Sequence, residues 1–159
     1  GGDGGVSQGV QQNRVEEGVR IGDVLFEQLN AIINLCKQAE KIAALQPENI
    51  REKLNQQVAE LLEAVPSLPE ERLAQEAAVL MTKADVREEL DRLQAHIEAA
   101  KDLMEEGGVI GRRLDFLCQE FNREANTLCS KAADVELSKI GLELKAVIEQ
   151  YREQVQNIE

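Results

Sequence analysis

From Gly18 to Ile158 the large apolar residues of this chain recur three and four positions apart, with only short interruptions. That spacing places side chains along one face of an α-helix, whereas a half-buried strand requires strict alternation. Ile21, Leu25, Leu29, Ile32 or Ile33 and Cys36 make up the first run, and Leu137, Ile140, Leu144, Ile148, Tyr151 and Val155 the last. Aromatic residues are scarce, with three Phe, one Tyr and no Trp, and the abundance of Leu, Ala, Glu, Gln and Lys favours long helices over a sandwich or barrel. The expected fold is all-α: long antiparallel helices in a bundle or coiled-coil-like arrangement, with no sheet. With 43% hydrophobic residues in 159, one core can be filled.

Punctuation divides the pattern. The opening "GGDGGVSQG" has no periodic apolar face, so residues 1–17 read as a flexible Gly-rich arm or linker and 18–159 as the helical domain. Pro47 in "QPENI" is expected to end the first helix near Leu45 and open a second, striped by Ile50, Leu54, Val58, Leu61 and Val65. "PSLPEE" gives the next break, with two acids placed where a helix start favours negative charge. A third helix should kink or restart at "ADVREEL", where Asp85 and Glu88 have capping-box spacing. Gly107 and Gly108 are natural left-handed terminators before two final helices, the last over about 133–157.

The three cysteines lack C-x-x-C spacing and read as small buried hydrophobes. A net charge of −12 disfavours wholesale wrapping by nucleic acid, so any anion site must be local. Neither an apolar span of membrane length nor a leader pattern is present, and a cytoplasmic chain without a membrane partner is expected.

One segment breaks from the acidic background. "GRRLDFLCQEFNREANTLCSK", residues 111–131, carries four basic residues against three acidic ones. Its apolar face leaves two polar stripes, one with Arg112, Gln119, Arg123 and Ser130, the other with Arg113, Glu120, Glu124, Thr127 and Lys131. Glu120 and Glu124 stand one turn apart, a repulsive spacing that a nearby cation relieves. That cation could be an arginine, a lysine or a divalent metal. A solvated face laced with ion pairs accounts for the same residues without function. His96, the single histidine, shares a stripe with Glu89 and Arg92; it reads first as a boundary residue bonded to a carboxylate and, with function, as a proton shuttle.

The stretch "GGVIGRRLDFLCQEFNREANTLCSKAADVELS", with "RLAQEAAVLMTKADVREELDRLQAH" before it and "ELKAVIEQYREQVQNIE" after it, resembles the C-terminal part of the YicC/YloC family of bacterial endoribonucleases. "RVEEG" at Arg14–Gly18 resembles the family's run into its helical region. The resemblance implies a cytoplasmic homo-oligomer, a hexamer, that cleaves single-stranded RNA with help from a divalent metal cation. It also implies a strand-rich N-terminal domain outside this chain.

Chemistry then proposes roles. Carboxylates hold hard cations through oxygen, which makes Glu120 and Glu124 the first metal candidates, with Glu89 a third ligand. His96 is the candidate acid–base group. Arg112, Arg113, Arg123 and Lys131 are expected on phosphates, Asn126 and Ser130 on sugar or phosphate, and Phe116 on an unpaired base. The alternative from another class is a non-catalytic helical module for oligomerisation or RNA binding, its charged stripes zipping subunits together.

Overall fold

The computed structural model describes residues 22–67 and 69–158, and the arm expected over residues 1–17 lies outside them. Among the described residues the chain forms five α-helices and no strand: α1 (Gly2–Ala64, described from Gly22 onward), α2 (Glu70–Lys83), α3 (Arg87–Glu106), α4 (Gly111–Lys131) and α5 (Val135–Asn157).

Four of these close into a bundle, because α1 packs on both α3 and α5 while α4 packs on both α3 and α5. The short connections after α3 and α4 force those neighbours to run antiparallel. Each helix contributes the stripe its spacing predicts. Leu29, Ile32, Leu93, Ile97, Leu114, Phe121, Leu128, Leu144 and Ile148 are essentially inaccessible, each such side chain contributing about 1.5–3 kcal/mol by burial. The core also contains Tyr151, whose hydroxyl donates to Met104 Sδ at 3.2 Å and whose ring meets Phe121 edge-on. Cys36 and Cys118 are buried and unpaired, and burial pushes both thiols up to about 12.

The end of α1, beyond Gln46, and all of α2 form a hairpin beyond the bundle. No residue of α2 is buried, and Leu61, Val65, Val79 and Leu80 are all exposed.

Two local expectations are corrected. α1 does not break at Pro47 but continues through it. Proline costs roughly 3 kcal/mol in a helix interior, yet helix-forming runs flank it on both sides. Its neighbour Gln46 is buried and lines a cavity with Ala84, Val86 and Leu90, so the turn packs against the start of α3. The helix does restart at "ADVREEL", but without a capping box: the N-cap is Val86, and Asp85 instead accepts from the backbone and guanidinium of Arg87. The side-chain bond from Arg87 holds the Asp85 carboxyl below its usual range. Gly107 and Gly108 take φ of 71° and 76°, a region costly to any residue with a Cβ, and they terminate α3 as expected. α5 begins at Val135, two residues after the expected start, because Asp134 caps it by accepting from Glu136 N at 3.0 Å.

Candidate metal centre on the α3–α4 seam

Antiparallel packing of α3 on α4 pairs their polar flanks in register. At one end Lys131 Nζ lies 2.7 Å from Glu89 Oε1. One turn on, Arg92 reaches both Glu88 on its own helix and Glu124 across the seam, the latter at 3.6 Å. At the far end Arg113 pairs with Glu106 at 3.5 Å.

Between these ion pairs His96, Glu120 and Glu124 converge, each offering a ligand atom within 4.8 Å of the others'. Among the described residues this is the one group in which three such side chains meet. The core sets its geometry. His96 lies edge-on to Phe121 at 6.2 Å, and Phe121 in turn rests on Tyr151, so the imidazole is backed by rings that cannot move without opening the bundle. Glu120 and Glu124 follow from the i,i+4 spacing on α4.

The donor set fits a divalent cation. Glu124 is buried to 4% exposure, and its one ion pair among the described residues is the 3.6 Å contact to Arg92. A buried carboxylate held by so distant a partner is costly, and a cation between it, Glu120 and His96 would relieve both the desolvation and the like-charge repulsion. One imidazole nitrogen with two carboxylates suits Mn²⁺ or Zn²⁺ better than Mg²⁺ or Ca²⁺, which prefer all-oxygen shells.

The structure thus gathers three of the residues read from the sequence and leaves others aside. Glu89 is not in the group; its carboxylate is occupied by Lys131, which was expected on phosphate, and that bond raises the Lys131 pKa above its ordinary value. Arg112, Arg123, Asn126 and Ser130 are exposed along α4, and Phe116 is exposed at the rim of a groove with Arg112 and Arg113. The residue missed is Arg92, the cation paired with the cluster's Glu124. Its place one turn from His96 was a readable signal, but only the packing of α4 brings it to Glu124.

An all-helical bundle domain carrying an acid–imidazole centre between rows of ion pairs is the class that fold and site define. The family described as Endoribonuclease YicC-like, C-terminal, matches residues 39–159, and the chain belongs to that family. It is 37% identical over 150 residues to a probable endoribonuclease YicC of Clostridioides difficile (strain 630), and 36% identical over 146 residues to one of Haemophilus influenzae (strain ATCC 51907 / DSM 11121 / KW20 / Rd). These matches cover 94% and 92% of the chain but 51% and 50% of the relatives, so the chain spans about half their length. No helix among the described residues is long and apolar enough to cross a membrane.

Proposed function

We propose that the full-length protein is an endoribonuclease that cleaves single-stranded RNA, with a divalent cation held by His96, Glu120 and Glu124. The observation that carries this reading is the convergence of those three side chains in a member of a family whose relatives are named probable endoribonucleases.

Phosphodiester hydrolysis needs an activated water or 2′-hydroxyl, stabilisation of extra negative charge on phosphorus, and a proton for the leaving oxygen. A bound divalent cation supplies Lewis acidity toward the phosphate and the attacking oxygen. The chain's own part is to orient the two carboxylates and the imidazole from rigid helices, and to keep Arg92 beside Glu124 where its guanidinium can meet a phosphate oxygen. Arg112, Arg113 and Arg123 bind the backbone on either side, with Asn126 and Ser130 on sugar or phosphate. In this reading Lys131 holds Glu89 in place at the end of the seam.

Charge-neutral Glu120→Gln and Glu124→Gln in the full-length protein should abolish cleavage of labelled single-stranded RNA while leaving binding within a few-fold, and a chelator should reproduce the loss. Cleavage that survives both variants and the chelator would remove the proposal. The exposed apolar residues Leu61, Val65, Val79 and Leu80 support the competing reading, an assembly or adaptor module. Binding or oligomerisation without any cleavage would establish it.

A further inference from the structure

One helical turn beyond the cluster, about 5.4 Å along each axis, the seam opens. Ala99 lies three residues after His96 on α3, and Phe116 four before Glu120 on α4. There a groove of about 490 Å³ is lined by Ala99, Leu103 and Leu117, with Phe116, Arg112 and Arg113 and the acids Asp102 and Glu106 around them. Phe116 is 60% exposed, on a helix whose other phenylalanine, Phe121, is fully buried. Arg113 is held by Glu106. Arg112 makes no ion pair among the described residues.

A flat aromatic face beside an apolar wall, with an uncommitted guanidinium next to it, matches the two halves of a nucleotide. The ring can stack on a base, which always presents a π-face, and the arginine can take the phosphate. Resting on the RNA-cleavage reading above, we propose that this groove is a subsite for one unpaired nucleobase adjoining the phosphate at the acid–imidazole centre. Phe116 is the stacking platform and Arg112 holds the neighbouring phosphate. A base in a duplex is stacked on both sides and cannot lie on Phe116, so the groove makes single-strandedness a condition of entry to the centre.

The test is binding of a short labelled single-stranded RNA to the full-length protein in chelator, where cleavage cannot intervene. Phe116→Ala weakens binding roughly tenfold, within the range for loss of one base–aromatic stack, and Phe116→Trp restores it. When an abasic nucleotide is scanned along the RNA, one position loses as much as Phe116→Ala, and at that position the two losses do not add. Arg112→Ala lowers the salt slope by about 0.7. An unchanged affinity for Phe116→Ala, or additive losses at every position, overturns the subsite. Binding of this pattern without metal-dependent cleavage would remove the nuclease reading and leave the subsite standing; cleavage with an indifferent Phe116→Ala would do the reverse.

Discussion

Glu89 is the most exacting residue of the seam. Its side chain is 3% exposed, Oε1 is bonded to Lys131 Nζ, and Oε2 is buried without a hydrogen-bond partner. Removing Lys131 therefore leaves a buried charge uncompensated, and Lys131→Met should destabilise the protein by about 3–5 kcal/mol. Changing both partners, Glu89→Leu with Lys131→Met, should recover most of that loss; urea denaturation at neutral pH measures both, and a cost below about 1 kcal/mol for the single variant would contradict the assignment. The sign follows from linkage: the folded state raises the Lys131 pKa, so the pair's contribution is complete below the ordinary lysine value and disappears as pH rises through the raised one. The sequence could not have supplied this pair. Each helix's stripe is readable, but the register that sets Glu89 opposite Lys131, 42 residues away, is a property of the packing, and for that reason Glu89 read as a metal ligand and Lys131 as a phosphate contact.

At the scale of elements, α4 and α5 come into close contact at Gly141. A Cβ built there would lie 2.6 Å from Cys129 Sγ and 3.1 Å from Leu128 Cδ2, so this helical glycine forgoes about 1 kcal/mol of propensity to let the helices meet. Gly141→Ala should cost about 1–2 kcal/mol despite its better helix propensity, and in a Cys129→Ala background the same change should cost less than about 0.5 kcal/mol. Equal costs in the two backgrounds would mean that the close approach does not decide the packing. Apolar periodicity made the helices of the bundle legible, including the restart before α3 and the glycines after it. It failed at Pro47, where local preference predicts a break while the flanking helix formers continue the helix. It failed again at Asp85, where the three-residue spacing to Glu88 matches a capping box but Arg87 takes the carboxylate first.

The whole molecule divides into a packed bundle and an outlying hairpin, and the two should differ in dynamics. With no buried residue, α2 can open without disturbing the core, so its amides should exchange in hydrogen–deuterium experiments well before those of α4. Equal protection would imply that something covers the hairpin. The bundle, by contrast, turns a sequence of scattered charges into one directed seam: ion pairs at both ends, the acid–imidazole group between them, the groove with Phe116 alongside. Glu120 and Glu124 were legible as a pair because they share a helix; that His96 joins them, and that Arg92 adjoins Glu124, depended on two helices whose alignment no local pattern encodes. The role proposed for this group is to hold a metal ion. Calorimetric titration of the full-length protein with Mn²⁺ tests it most directly: one ion per chain should bind to the wild type and none detectably to the His96→Ala, Glu124→Gln double variant, while identical isotherms, or no binding by either protein, would contradict it.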